Sequence, residues 1–413
     1  MDLRKDYFWN TIGTSANSFL SLLLLIVVTR INGIADSGIF NLCFMAAVLF
    51  YTIGMYGGRI YQVSDVAGEY ESKNYVFLKG FTSLAMLVAV SVFVFVNGYT
   101  PDRVALIFSL AFYKITDALA DPLYGIMQKN AHLYFAGVSM ALKAGIGFGS
   151  FIIVDLVFGS VYYASFCLLA ANVLFMIVWD IPKIRRFERL KNILSVNLAP
   201  TLSLLRKSAW IFAFSLMSML FTYVPRHFAD IFLTPEELGF FGIIIMPASM
   251  LSLFVVFIIQ PKLVDLSHMF AEGRFAELDR KVTKMISLAV CFGVVAALAM
   301  WLVGVPVLSF IFGQDMALYR IPLTLAVVGG TVNTATLIWS NILSVMRRFT
   351  AQLFCYLPGV IALMLFCYFL TGPYGVLGGI FAFVFANAVL MLLYLAAYRI
   401  AIRKRSGPAG IRA

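Results

Sequence analysis

Four ionisable residues fall inside long apolar stretches: Lys114, Asp117 and Asp121 on one, Lys143 on the next. A charge at the centre of a membrane-spanning helix is disfavoured by ~2.5–3.5 kcal/mol on insertion scales, so such residues pair or serve a ligand. The spacing i, i+3, i+7 puts Lys114, Asp117 and Asp121 on one helical face. The intervening turn falls near Gln128 and Lys129, about equally far from Lys114 and Lys143. An antiparallel hairpin therefore brings the two lysines to one depth. Two chemistries are open to this group. A closed network would neutralise the lysines with Asp117 and Asp121 and fix helix register, adding little net stability. A hydrated cationic zone would instead bind an anionic headgroup, with Asp117 and Asp121 as candidate proton or ion-coupling sites. Arg30, Arg59 and Arg226 are further candidates for that zone. They lie nearer the ends of their stretches, where snorkelling to the interface explains each at least as well.

Uncharged polar residues form a second pattern. Asn10, Thr14, Asn17 and Ser21 are spaced by four, three and four, hence on one helical face. Ser208, Ser215, Ser218 and Thr222 repeat the stripe in a later stretch, which continues to Arg226. Small polar residues are common glue between packed helices. A stripe present twice also suits the wall of a wet cavity. Asn333, Thr336, Ser340, Asn341 and Ser344 form a third polar set, this one without charge. The N-terminal half is thus expected to take a phosphate and the C-terminal half a neutral remainder.

The elements that must carry these residues are set by composition. Apolar residues make up 62% and charged residues 12% of the 413, with a mean hydropathy of +0.93. Soluble domains have roughly 25% charged residues. The chain is an all-α polytopic membrane protein. A span needs roughly 20 apolar residues, which places about twelve helices near 8–30, 38–58, 76–97, 104–126, 132–154, 160–180, 208–229, 238–260, 284–305, 318–345, 350–371 and 375–399. The segment from Asp180 to Lys207 is strongly basic and interrupts the apolar runs after about six spans. It divides the chain into a six-helix bundle at 1–182, a basic linker at 183–207, and a second six-helix bundle with a basic tail at 208–413.

The formal net charge of +11 is a topology signal here, not a nucleic-acid footprint. Most of the basic residues, including Lys73, Lys79, Lys129, the linker, Arg347, Arg348 and Arg412, fall on one side if both termini are cytoplasmic. The first span, lacking a small-residue cleavage site, is expected to be retained. The five cysteines, Cys43, Cys167, Cys291, Cys355 and Cys367, lie in apolar spans and read as small core residues. The three histidines, His132, His227 and His268, are scattered, and no phosphate-cradling G-x-x-x-x-G-K-[ST] motif occurs. No catalytic residue, metal ligand or cofactor is expected.

The halves resemble each other. An offset of 201 residues lays Trp210 on Trp9, Ser215 on Thr14, Ser218 on Asn17 and Thr222 on Ser21. The same offset lays Leu238-Gly239-Phe240-Phe241 over Ser37-Gly38-Ile39-Phe40. Six spans separate the copies, so the repeat is parallel and pseudo-symmetric about the membrane normal.

The opening of the chain resembles a known family. It has an Asn early in the first span, Thr29-Arg30 at its end, then Asp36-Ser37-Gly38-Ile39-Phe40, and a second span closing before Gly57-Gly58-Arg59. This pattern, echoed in Asn341 to Arg348, is similar to the polysaccharide transporters (oligosaccharide and O-antigen flippases) of the MATE-like multidrug/oligosaccharidyl-lipid/polysaccharide flippase superfamily. The resemblance implies two bundles that alternate in access. It also implies a cargo of polyprenyl-pyrophosphate-linked oligosaccharide, carried from the inner to the outer leaflet of a bacterial inner membrane, with basic cavity residues on the pyrophosphate. Of these only Arg30 sits at a position carried over from the family; Lys114 and Lys143 rest on depth and charge. Expected partners are the bilayer, the lipid-linked glycan and polysaccharide biosynthesis proteins, without nucleic acid.

Physics agrees with that role, since a sugar-phosphate headgroup loses its water in a ~30 Å hydrocarbon core. Rivals remain open. A proton- or sodium-coupled antiporter of drugs or organic cations would want Asp117 and Asp121 without matching lysines. A cell-wall precursor flippase would want the same cations as the oligosaccharide flippase. A membrane enzyme acting on sugar lipids would need a general acid or base at the membrane surface.

Overall fold

A computed structural model describes residues 3–65, 68–193, 195, 197–259, 262–346 and 348–406. Arg347, Arg412 and the end of the basic tail lie outside the described residues. All the regular elements described are helical, as expected where no water is present to satisfy backbone groups. Nine helices among the described residues have the length and apolar composition to cross a membrane.

The chain divides into two compact units, 1–219 and 220–413. Unit 1 begins with α1 (Leu3–Ile31), α2 (Ile34–Met55), the short α3 (Gly58–Ser64), α4 (Ser72–Asn97), α5 (Pro101–Lys129) and α6 (Leu133–Phe158). It continues with α7 (Val161–Phe175), a π-helical turn at Met176–Asp180, α8 (Ile181–Ile184) and α9 (Leu190–Ile193). The division falls within α10 (Leu198–Phe232). Turn chemistry explains the breaks. α4 stops at Gly98, whose φ of 60° is a left-handed cap, and α5 opens on Pro101, whose missing N–H is harmless there.

The unit 1 core joins Leu24 and Val28 of α1, Phe40 and Phe44 of α2, Met86 of α4, Leu110 and Tyr113 of α5, Phe151 of α6 and Leu168 of α7. The outer face of α4 shows Phe81, Val88, Val92 and Phe95 exposed, the surface lipid would cover. α1 and α6 approach at backbone distance. A Cβ on Gly13 would collide with the Gly137 carbonyl, and one on Gly137 with the Trp9 backbone. That contact lays the polar stripe of α1 beside the α6 helix that carries Lys143.

The basic linker does not simply trail through solvent. Ile184 and Ile193 are buried in a cluster with Leu123 and Met127 of α5 and Ala136 of α6. Its last residues, read as linker because Arg206 and Lys207 are charged, are already helical as the first turns of α10. Leu204 is buried there, and the Ser203 and Tyr70 hydroxyls lie 3.0 Å apart.

Unit 2 contains α11 (Pro235–Ile259), α12 (Leu263–Ala271) and α13 (Phe275–Ala299). A π-helical turn at Met300–Gly304 leads to α14 (Val305–Phe312), followed by α15 (Arg320–Val345) and α16 (Phe349–Ser406). α16 holds the last two expected spans, broken at Gly375, whose φ of 58° departs from the helix just after Pro373. α2 starts at Ile34 and α11 at Pro235, the same offset that aligns the sequence repeats, and each is followed by a short helix, α3 or α12. Cys43, Cys355 and Cys367 are buried as core residues, but Cys291 is exposed on α13. The expectation for Cys291 is corrected: its span is lipid-facing on that side, and an apolar stretch alone does not tell a core face from a lipid face.

Candidate functional site

The site is built on α5. Lys114, Asp117 and Asp121 share one face, and Lys143 of α6 arrives opposite. Asp117 Oδ2 lies 3.2 Å from Lys114 Nζ, and Asp117 Oδ1 lies 3.2 Å from Lys143 Nζ. One carboxylate thus bridges both lysines. Lys114 Nζ also sits 4.6 Å from the Tyr113 ring centre, 5.4 Å from that of Phe44 and 5.5 Å from that of Tyr51. An aromatic wall of this kind favours a cation electrostatically.

Asp121 has a partner that the sequence reading put at the surface. Lys79 of α4, expected to face the cytoplasm, is only 4% exposed, with its Nζ 3.4 Å from Asp121 Oδ2. It also donates to the Met55 carbonyl at the end of α2. That expectation is corrected, because a lysine near a span end can snorkel inward to a buried carboxylate as readily as outward to water. Next to Asp121, Pro122 sits inside α5, and its carbonyl accepts from Gln62 Nε2 at 3.1 Å.

A third group lies at the π-helical turn after α7. Asp180 is fully buried and accepts from Ser139 of α6 and from the Tyr124 hydroxyl of α5, the latter at 3.4 Å. The Tyr124 and Ser139 hydroxyls lie 2.9 Å apart. π-Helical turns recur at functional sites because the extra residue re-aims side chains.

These groups surround a cavity of about 210 Å³ within unit 1, lined among others by Thr14, Asn17, Tyr51, Arg59, Asp117, Asp121, Tyr124, Lys143 and Asn172. Arg59 differs from the lysines. No carboxylate pairs with it among the described residues, and its Nη1 is buried without a hydrogen-bond partner. Around the cavity Lys79, Lys114, Lys143 and Arg59 outnumber Asp117, Asp121 and Asp180, and among the described residues Arg59 is the one of these cations with no carboxylate within ion-pair distance. Among the described residues no cluster of His, Cys, Asp and Glu could hold a metal ion.

The other candidates are spread out. Arg30 is exposed at the end of α1, away from the cavity lining. Asn10 is half-buried with an unpartnered Oδ1, and Ser21 is half-buried. Ser215 and Ser218 are half-buried on α10. In unit 2, buried Arg226 donates to the Thr222 carbonyl at 2.7 Å, and Asn333 donates to Ser252 at 3.3 Å.

The family described as polysaccharide biosynthesis protein matches residues 3–266, well over half of the sequence. The chain belongs to that family. This polysaccharide biosynthesis protein is 21% identical over 403 residues to the capsular polysaccharide biosynthesis protein CapF of Staphylococcus aureus, covering 96% of this chain and 99% of CapF. Its fold is shared by solved transporters described as members of the MOP superfamily. An inward-facing multidrug resistance MATE family transporter superposes with a TM-score of 0.71 at 15% identity, covering 98% of this chain and 100% of the transporter. The inward closed lipid II flippase MurJ superposes with a TM-score of 0.69 at 13% identity, covering 96% and 90%. These solved neighbours are named as transporters and flippases, and none of the three relatives is named as an enzyme.

Sequence reasoning missed Tyr51, Tyr124, Ser139, Asn172 and Asp180 as site residues of this family member. In sequence Asp180 stood out only as the first residue of the basic segment. Nothing in the sequence links it to Ser139 and Tyr124, which the packing of α5, α6 and α7 brings to it.

Proposed function

We propose that the protein is a flippase for a polyprenyl-diphosphate-linked oligosaccharide, the repeat unit of a cell-surface polysaccharide, carried from the cytoplasmic to the outer leaflet of a bacterial cytoplasmic membrane. Both termini are then cytoplasmic, a reading that the distribution of basic residues supports. The observation that carries the reading is Arg59: an uncompensated cation with a buried, unpartnered Nη1, lining a polar cavity inside a membrane-spanning bundle. A guanidinium matches phosphate oxygens in charge and in planar donor geometry. Thr14, Asn17 and Tyr51 line the same cavity and offer neutral donors beside it. Lys143 also lines it, but shares Asp117 with Lys114. It contributes once an anion draws it away. The cavity is below the ~300–1,000 Å³ of pockets that enclose drug-sized ligands. It therefore suits the diphosphate and not the whole glycan, while the polyprenyl tail stays in lipid.

The reading is tested in liposomes with a fluorescent polyprenyl-diphosphate oligosaccharide in both leaflets and a quencher added outside. Protein-dependent loss of protection, absent for a neutral polyprenol analogue, supports it. Equal exchange of both lipids, or none, overturns it.

A second reading concerns the energy source. Asp117 and Asp121, the first candidates for coupling, are each held by lysine at 3.2–3.4 Å. Among the described residues Asp180 accepts only from hydroxyl donors, and it touches the cavity through Tyr124. It is the carboxylate best placed to exchange a proton with the cavity. If it does, Asp180→Asn removes any stimulation by an imposed pH gradient while exchange without a gradient persists. A gradient response unchanged in that variant rules the role out.

A further inference from the structure

A second cationic feature lies in unit 2, at the elbow between α12 and α13. There Lys262, Asp265, Leu266, Lys281, Lys284, Met285 and Leu288 line a groove of about 310 Å³. On α13 the four residues Lys281, Lys284, Met285 and Leu288 recur at helical spacing and share one face. Their order along the helix is graded. The lysines come first, and from Leu288 onward the exposed side chains are apolar: Val290, Phe292, Val294, Val295 and Leu298. The groove therefore straddles the level at which water gives way to hydrocarbon. Facing α13, α12 buries Leu266 and Met269 and presents Lys262 at its start.

The charge is unbalanced. Lys281 has Glu277 at 3.7 Å, both side chains exposed. Among the described residues no carboxylate lies within ion-pair distance of Lys262 or Lys284, and Asp265 is the only acid lining the groove. Lysines clustered beside apolar wall at the membrane boundary match a lipid with an anionic headgroup, because both ends of such a molecule are satisfied at once. A free anion would leave Leu266, Met285 and Leu288 unused. We propose that this groove binds an anionic phospholipid of the surrounding bilayer, its phosphate between Lys262, Lys281 and Lys284 and one acyl chain against Leu266, Met285 and Leu288. The site is separate from the unit 1 cavity and does not depend on the flippase reading.

The test is lipid retention by the full-length protein, purified from nanodiscs holding equal phosphatidylglycerol and phosphatidylcholine and read by native mass spectrometry. The wild type should retain phosphatidylglycerol preferentially. Each lysine near a membrane surface supplies about fivefold, so the triple variant K262Q/K281Q/K284Q should lower that preference by about a hundredfold. K262R/K281R/K284R, which keeps the charge, should retain it, separating charge from misfolding. Equal retention of both lipids by the wild type, or undiminished preference in the glutamine variant, overturns the proposal. So does displacement of phosphatidylglycerol by equimolar polyprenyl diphosphate, which would assign the groove to the transported lipid. Displacement by millimolar inorganic phosphate would make it a simple anion site and overturn it too.

Discussion

The two units handle polar groups in opposite ways. Unit 1 buries Asp6, Lys79, Lys114, Asp121, Lys143, Asp155 and Asp180, whereas Arg226 is the only buried charged side chain of unit 2 among the described residues. Beyond Arg320 at its first position, the polar residues of the α15 helix of unit 2 are neutral, and two of its serines meet Gln352 of α16. Ser340 bonds Gln352 at 2.7 Å and Gln352 bonds Ser344 at 2.9 Å. Thr334 and Thr336 return their hydroxyls to carbonyls one turn back. A helix can carry such groups through lipid as packing glue. Paired buried ions add little stability over an apolar core, so on the proposed function the lysine–aspartate pairs around the unit 1 cavity serve a charged ligand more than they serve folding.

The sharpest way to break this contrast is to remove the carboxylate that two lysines share. Asp117→Asn leaves Lys114 and Lys143 buried without a counter-charge, and stability should fall by about 3–5 kcal/mol, measured by thermal unfolding in detergent. A loss under 1 kcal/mol would mean that water reaches both lysines and the network is not closed. The neighbouring pair sharpens the point. Lys79→Met alone should destabilise by about 3 kcal/mol, while K79M/D121N should recover most of that, since removing both ions removes the desolvation penalty as well. Additive losses in that cycle would deny that the two residues are coupled. In unit 2, Ser340→Ala breaks one neutral bond and should cost only about 0.5–1.5 kcal/mol.

The smallest effect lies at the edge of unit 1, in the loop between α3 and α4. Burial pushes the Asp65 carboxyl up, but the Tyr70 and Glu69 amides, the Tyr75 hydroxyl and nearby Lys129 outweigh it and hold it below the ordinary carboxylate range. A depressed carboxyl contributes stability that is fully present above about pH 4, where the unfolded group is ionised. That contribution is lost as pH falls through the lowered native value. Hydrogen exchange at the Glu69 and Tyr70 amides, measured in acid, should therefore speed up below pH 4 in the wild type. It should already be fast, and independent of pH in that window once intrinsic rates are divided out, in Asp65→Asn.

Much of the fold was legible because lipid imposes long apolar runs, and the break at Gly375 was marked by Pro373 and glycine. The meeting of Lys114 with Lys143 was legible from hairpin arithmetic alone. What sequence could not supply was sidedness. Lys79 and Arg59 both sit near span ends, and only packing shows Lys79 folded onto Asp121 and Arg59 turned on the cavity. Asp180 sat in sequence at the last position of the sixth expected span, where the basic segment begins, and in space it meets α5 and α6. The start of α10 was hidden by its own charges, which mark a membrane boundary and not a helix end.

On the proposed function Arg59, the cavity cation of unit 1 without a carboxylate partner among the described residues, receives the anionic headgroup. The most direct measurement is binding of a fluorescent polyprenyl diphosphate, against its neutral polyprenol, to wild type, Arg59→Gln and the unit 2 control Asn333→Ala in detergent. A charge-assisted hydrogen bond is worth about 1.5–3 kcal/mol, so Arg59→Gln should weaken diphosphate binding by about 10- to 100-fold and leave polyprenol binding unchanged. Asn333→Ala should bind as the wild type does. Undiminished diphosphate binding by the Arg59→Gln protein would rule Arg59 out as the headgroup site.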